Sequence, residues 1–459
     1  MPIPAAPRRT TSAALLTLLL GLMAPLAGCA MMRKYDLAQI HEQSAAQPER
    51  APVIVIHGFL GSKLRNGSTH ETVWGRFVDA ITTSSQDDLA LPIARLPLTE
   101  NSDHLVPYAL YESVGGVKFY GAMMDVLERA GRYRLGDIDN PKPGDNLFVF
   151  NYDWRRDNVE SAQHLGKAIR QIKERLCEPD LRFDLVAHSM GGFVALYYAM
   201  YGTQDVLAEG RRAPVPWAGA PDLGRVVLLG APLHGTMAAF RLLNTGLSRS
   251  LPRDVVFTMP SLYQLLPDAG ESHFIDASGR PLAIDLYDAE SWVRYGWSAV
   301  GSQRRTRRAR RDNDSSDPDP QRLRFLQAAL DRSRAFRSSL ERADGSEPPI
   351  KVHVFGSDCI PTLDKAVVTE TASGPATYFN DESTPDRNAR RMEALLMAPG
   401  DGTVTAVSLT GAGRFSSPFF ICESHGLLPA NAAFQDNLFH LLFQAQDLPA
   451  AALRSAGSR

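Results

Sequence analysis

Ser189 stands in the stretch FDLVAHSMGG at 183–192, an apolar β-type run that breaks at small residues and continues as the apolar helical stretch 193–201. A serine at a sharp strand-to-helix turn has its Oγ thrust out of the end of a sheet, where it can attack an ester carbonyl. Gly191 keeps one flank of the turn thin; on the other, Ala187 stands where glycine is usual and adds a methyl group. A serine attacks only when a base takes its proton, and the base needs a third group to orient it. On an open α/β sheet the chain order of the three is serine, acid, histidine. Among 11 histidines, His425 follows a late apolar run at once, where the base is required. His440, the sole histidine beyond it, lies in an amphipathic stretch and reads as structural; His188, inside the turn, reads as packed. For the acid, Asp401 sits in the glycine-bracketed loop PGDGTV, which can aim a carboxylate inward. Asp358, just after the run 350–355, competes with it, and Asp364 is a weaker third. The oxyanion that forms on attack calls for two N–H donors. Met190, next after the nucleophile, supplies one; the loop HGFLGS at 57–62 supplies the other, with Phe59 best placed. His57 reads as ordering that loop, and Ser62 carries a hydroxyl there without the required turn.

Hydrophobic patterning shows which elements must hold these residues. The run VIVI at 53–56 is continuous and β-branched, which suits a strand buried on both faces of a parallel sheet. Comparable runs occur at 147–152, 183–187, 226–229, 350–355 and 418–422. Between them apolar residues recur at helical spacing. Val159, Ala162, Leu165, Ile169, Ile172 and Leu176 form one stripe, opened by Asp157 and Glu160 at capping-box spacing. Phe119, Met123, Val126, Leu127 and Ala130 form another, closed by Gly131. This alternation predicts an α/β fold with a mostly parallel central sheet flanked by helices. Two stretches break the rhythm. Residues 66–114 read as a small excursion, and 237–349 as an inserted cap domain. Trp292 and Trp297 are its expected contact with substrate, and a helix at 323–340 returns to the core. Within it, six arginines at 304–311 precede four aspartates at 312–319, so 303–320 is expected to be a disordered, self-neutralising loop. The core is thus expected in two parts, 51–236 and 350–447, with a tail at 448–459.

A chain of 459 residues that is 44% hydrophobic can bury a large core. Lys and Arg total 49 against 51 Asp and Glu, so no basic face for nucleic acid is expected. Four cysteines are too few for a dense disulfide framework or a Cys-rich zinc module, and the serine chemistry calls for no metal or organic cofactor. At the N-terminus Arg8 and Arg9 precede an apolar stretch, 13–27, interrupted by Gly21 and Pro25. That is a signal segment, too short and broken to span a bilayer. It ends LAGC at 26–29, which resembles a bacterial lipobox. The resemblance implies removal of 1–28, a diacylglyceryl group on Cys29 and a tether to residue 50. The expected location is the cell envelope, lipid-anchored in the outer membrane and facing the periplasm. Cys177, Cys359 and Cys422 then allow at most one disulfide.

Taken together the motifs resemble the lecithin:cholesterol acyltransferase family, which includes lysosomal phospholipase A2 and phospholipid:diacylglycerol acyltransferase. They are PVIVIHGFLGSKL at 52–64, Trp74 with Gly75, YDWR at 152–155, AHSMGG at 187–192, GAPLHG at 230–235, GDGTV at 400–404, and His425 with Gly426. The serine turn is common to α/β-hydrolases; the first loop combined with YDWR is much more specific. The resemblance implies an α/β-hydrolase fold with a cap or lid, and a triad of Ser189, Asp401 and His425, which selects Asp401 over Asp358. Asp153, Trp154, Arg155 and His234 become scaffold. The implied activity is that of a serine lipid-ester hydrolase or O-acyltransferase working through an acyl-enzyme. Its partners would be a lipid or ester substrate and a membrane surface. The animal enzymes brace their membrane-binding excursion with a disulfide, whereas residues 74–104 here hold no cysteine. The alternative is a non-catalytic envelope lipoprotein that keeps the shell as a binding module. Loss of a triad member would signal it, and all three are present.

Overall fold

The computed structural model describes residues 50–443 apart from 77–86, 95, 101, 115–116, 208–214, 271, 301–318, 342–347, 373, 380–392, 412–414 and 416. Cys29, the tether, the C-terminal tail and all but the last two residues of the Arg/Asp loop lie outside the described residues. Six strands build the central sheet: β1 (Val53–Ile56), β2 (Leu147–Phe150), β3 (Phe183–His188), β4 (Leu223–Leu229), β5 (Lys351–Gly356) and β6 (Phe419–Phe420). All neighbours are parallel, in the order β6-β5-β4-β3-β1-β2. β1 and β3 are buried along their whole length, as their unbroken apolar runs require. Ile56 lies beside Ala187, and His188 beside Leu229. The carboxyl ends therefore finish level, and the loops after β1, β3, β4 and β5 share one end of the sheet, where open α/β sheets place their sites. β6 is shorter than its apolar run. Pro418 has no N–H for a ladder, while Ile421 still donates to the Gly356 carbonyl at 2.8 Å.

Six helices matter for the site: α1 (Tyr120–Arg129), α2 (Asn158–Leu176), α3 (Gly191–Tyr201), α4 (Met237–Thr245), α5 (Pro320–Leu340) and α6 (Ala432–Phe443). Asp157 caps α2 as expected, accepting from the Val159 and Glu160 amides, but Glu160 does not return the bond. It is held instead by Arg156 at 2.8 and 2.9 Å. Gly131 does not close α1 through a left-handed turn, since that conformation falls on Arg132 (φ 50°). Its glycine is needed for space: a Cβ there would lie 2.3 Å from the Leu127 carbonyl oxygen. Every residue of α3 is buried, so the helix has no polar face.

The 66–114 excursion supplies the two outer strands of a three-stranded antiparallel sheet, Thr72–Trp74 and Leu105–Leu110, whose middle strand Ser62–Asn66 precedes it. It is pinned to the core by Arg155, whose fully buried guanidinium meets Asp153 and Asp103, each at 2.7 Å. Burial opposes that charge, yet the two carboxylates outweigh it and raise the pKa. The described part of 237–349 packs directly against the core. Ser261 Oγ donates to the Trp154 carbonyl at 2.6 Å, Gln264 to Asp157 at 2.7 Å, and Arg332 to Asp157 at 2.6 Å. Trp292 and Trp297 are only 0% and 1% exposed; both meet Phe240 edge to face, and Trp297 stacks on Phe274. Their indole N–H groups are satisfied by protein, that of Trp292 by the Leu286 carbonyl within the segment and that of Trp297 by Thr377 Oγ1 outside it, both at 2.7 Å. The expected contact of these rings with substrate is corrected: they fill the inside of the segment, where large aromatic surface is best removed from water. A disulfide joins Cys359, just past β5, to Cys422, just past β6, and leaves Cys177 as an exposed thiol. Among the described residues no helix is long and apolar enough to cross a membrane. No group of three or more His, Cys, Asp or Glu among them could hold a metal ion.

Candidate active site

Ser189 sits between β3 and α3 with φ 54°, a left-handed conformation costly for a residue with a Cβ. Its N–H is anchored on the Leu229 carbonyl at 2.8 Å, and its carbonyl takes the Gly192 N–H at 2.9 Å. Two glycines permit the close approach of the β1 loop. A Cβ on Gly58 would lie 2.7 Å from Ser189 Cβ, and one on Gly191 would lie 2.4 Å from the His57 carbonyl oxygen. The extra methyl of Ala187 is absorbed within fully buried β3.

Three distant residues meet here. His425 Nε2 lies 2.8 Å from Ser189 Oγ, and His425 Nδ1 lies 2.7 Å from Asp401 Oδ2. A carboxylate only accepts, so Nδ1 carries the proton and Nε2 presents its lone pair to the hydroxyl. The second carboxylate oxygen of Asp401 is also satisfied, by the Thr403 N–H at 2.9 Å and the Val404 N–H at 2.7 Å. Burial pushes the Asp401 pKa up. The His425 ring and these two amides outweigh it, and the net result lies below the usual carboxylate range. The Asp401 loop follows an antiparallel pair, Ile360–Leu363 with Met397–Gly400, and the Gly402 N–H is tied to Thr362 Oγ1 at 2.8 Å. The backbone closes the arrangement, with the His425 N–H donating to the Asp401 carbonyl at 2.9 Å. Asp358 is exposed, and Asp364 pairs with Lys365.

Phe59 lines the same cavity as Ser189 and Met190 follows the serine directly, and neither backbone N–H has a protein acceptor among the described residues. His57 orders the first loop. Its ring stacks on Tyr152 at 4.3 Å, and its Nδ1–H donates to the Gly58 carbonyl at 2.8 Å. Ser62 Oγ is buried and donates to the Tyr152 carbonyl. His234 pairs with Asp268, and His440 is on the exposed side of α6. Sequence reasoning missed Tyr120, which bridges Gly58 and His188 in the site's floor. No local pattern marks it, because its partners lie 62 and 68 residues away.

Ser189 and His425 open into a cavity of about 640 Å³. Its walls are mostly apolar, with Phe59, Leu60, Trp74 and Phe119 on the core side and Leu242, Leu247, Leu262 and Leu265 on the side that follows Gly235. Among the described residues that line it, Arg241 is the one Lys, Arg, Asp or Glu. Such a site can carry an apolar chain past a serine that an imidazole can deprotonate.

Six parallel strands, a serine at the turn after the third, and an acid and a histidine on later loops define an α/β-hydrolase. The lecithin:cholesterol acyltransferase family model matches residues 134–278, so the resemblance seen in the motifs holds over that stretch. A chain of the Tle4–Tli4 complex crystal structure has the same fold, with a TM-score of 0.53 at 14% identity, covering 88% of this chain and 100% of that one. The Bacillus licheniformis lipase BlEst2 in its mature form gives a TM-score of 0.35 at 12% identity, covering 87% of this chain and 94% of that one. The uncharacterized protein YJR098C of Saccharomyces cerevisiae is 22% identical over 256 residues. That match spans 55% of this chain and about a third (34%) of the yeast protein.

Proposed function

We propose that this chain is a serine hydrolase of lipid carboxylic esters. The observation that carries the reading is the unbroken line from Ser189 Oγ through His425 to Asp401, opening into an apolar cavity. His425 Nε2 takes the hydroxyl proton as Oγ bonds to the ester carbonyl carbon. Asp401 holds the ring in the correct tautomer and stabilises the imidazolium. The Phe59 and Met190 amides receive the oxyanion. As the intermediate collapses, His425 returns the proton to the departing alkoxide and an acyl-Ser189 ester remains. Water then releases a fatty acid, or an alcohol accepts the acyl group; the second course would make the chain an O-acyltransferase. The family match supports lipid esters as the substrate class, with phospholipids among them. We further propose that Cys29 carries the lipid that holds the chain at the envelope. Metabolic labelling with a fatty-acid analogue tests this, and a label that misses Cys29 refutes it.

The central test is a fluorophosphonate probe. Labelling at Ser189, abolished in Ser189→Ala, supports the enzyme. An unlabelled, folded chain would support the binding-module alternative. Incubation with lipid extract, with and without an added alcohol, separates fatty acid from new ester as product.

A further inference from the structure

Between the oxyanion loop and the base runs a second hydrogen-bonded line. The Gly58 N–H reaches Tyr120 Oη at 2.8 Å, Tyr120 Oη lies 2.7 Å from His188 Nδ1, and His188 Nε2 lies 3.0 Å from the His425 carbonyl oxygen. Chemistry fixes every proton in it. A carbonyl only accepts, so His188 Nε2 must carry hydrogen and Nδ1 must be bare. Tyr120 Oη therefore donates to Nδ1 and uses a lone pair for the Gly58 amide. The line has one direction, from the residue preceding Phe59 to the backbone of the base itself. The His188 ring stands 4.9 Å from that of His425. A cation on His188 would oppose the imidazolium that catalysis forms. Burial instead lowers the His188 pKa to about 3, which keeps the ring neutral.

We infer that Tyr120 and His188 are positioning residues that set the spacing between the oxyanion donors and the base through a single, neutral hydrogen-bonded relay. This rests on the proposed serine chemistry. The relay runs through four segments, the β1 loop, the start of α1, the end of β3 and the loop carrying His425; β1 and β3 pair directly, and among the described residues no strand pairing joins either to α1 or to the His425 loop. Its gain is realised only when oxyanion and imidazolium form together, so its loss should fall on kcat.

The test uses the full chain and its Tyr120→Phe, His188→Gln and doubly substituted variants. Each is assayed on a p-nitrophenyl ester and for the rate of phosphonylation of Ser189. Gln can place its amide N–H where His188 Nε2 donates to His425, and its amide oxygen then does not fall at the Nδ1 position that accepts from Tyr120. We expect each single change to lower kcat and the phosphonylation rate on the order of 10- to 100-fold with KM within about twofold. The double variant should be about as slow as the slower single one, because the two act as a unit. Losses that multiply, or losses confined to KM, overturn the relay. So does wild-type phosphonylation in both variants. Independently of variant folding, nitrogen-15 NMR of the histidines in the wild-type chain should show His188 as neutral with Nε2 protonated. The Nδ1-protonated tautomer overturns the inference. A wild-type chain that never reacts with the phosphonate defeats the serine chemistry instead, whatever the variants do.

Discussion

Each member of the Ser189 site is held by bonds that have nothing to do with reaction. Asp401 has both oxygens satisfied, so its orientation is settled before any substrate arrives. Asp401→Asn should therefore lower kcat on the order of 10⁴-fold, because an amide does not enforce the required tautomer. Asp358→Asn should leave it near wild type, and the reverse order in steady-state assays would move the acid. Ser189→Ala should cost on the order of 10⁴–10⁶ in kcat. The two buried histidines make a separate prediction. Burial lowers His188 to about 3 and His57 to about 4, against 6.5 for an exposed ring. Below about pH 6.5 the unfolded chain takes a proton on each that the folded chain refuses. Their stabilisation is therefore complete above that pH and is lost as pH falls towards 4 and 3, by about 1.4 kcal/mol per pH unit for each group. Urea denaturation between pH 6 and 4 should be less steeply pH-dependent in His188→Gln by about one proton. Parallel curves would contradict the neutral His188. At this scale the serine and the histidine were legible from a turn motif and a fixed chain order, whereas the choice of Asp401 over Asp358 needed the family resemblance, because both aspartates satisfy that order. Tyr120 was not legible, because only the folded chain brings it between Gly58 and His188.

At the scale of elements, continuous β-branched runs revealed the inner strands because burial on both faces leaves no polar alternation. β6 was overestimated because the run 418–422 was read on apolar character alone, although Pro418 within it has no N–H to give a ladder. The disulfide shows the same limit: three cysteines offered three pairings, and what selects one is that β5 and β6 are neighbours. That bond ties the β5 end to the loop three residues before His425. Its 63-residue separation implies that Cys422→Ser costs about 2–4 kcal/mol of unfolding free energy. Urea midpoints should fall accordingly, and a Cys359→Ser variant should match it. Cys177, the left-handed C-cap of α2 at φ 58°, should behave in the opposite sense. Cys177→Gly relieves that strain and should raise stability by about 0.5–1 kcal/mol. A lowered melting temperature would count against this reading of the cap.

At the scale of the molecule, the sequence marked 237–349 as an insertion but could not say which of its apolar residues face substrate. Trp292 and Trp297 stood out because size stands out. The folded chain uses them as the segment's own core and gives the cavity wall to α4 and the leucines after it. The two roles have different signatures. Trp292→Ala removes a fully buried ring and should cost about 3–5 kcal/mol of stability, while the ratio of long-chain to short-chain ester turnover stays unchanged. Ala238 lines the cavity from the first turn of α4 and is only partly buried. Ala238→Phe pushes a ring into the space an acyl chain would need without disturbing Ser189, His425 or Asp401. It should lower kcat/KM for long-chain esters on the order of tenfold and leave short-chain esters within about twofold. Both variants assayed on a chain-length series, with melting temperatures alongside, separate wall from core. If Trp292→Ala shifted the chain-length preference at unchanged stability while Ala238→Phe did not, the acyl chain would lie under the tryptophans and the wall assignment would be reversed.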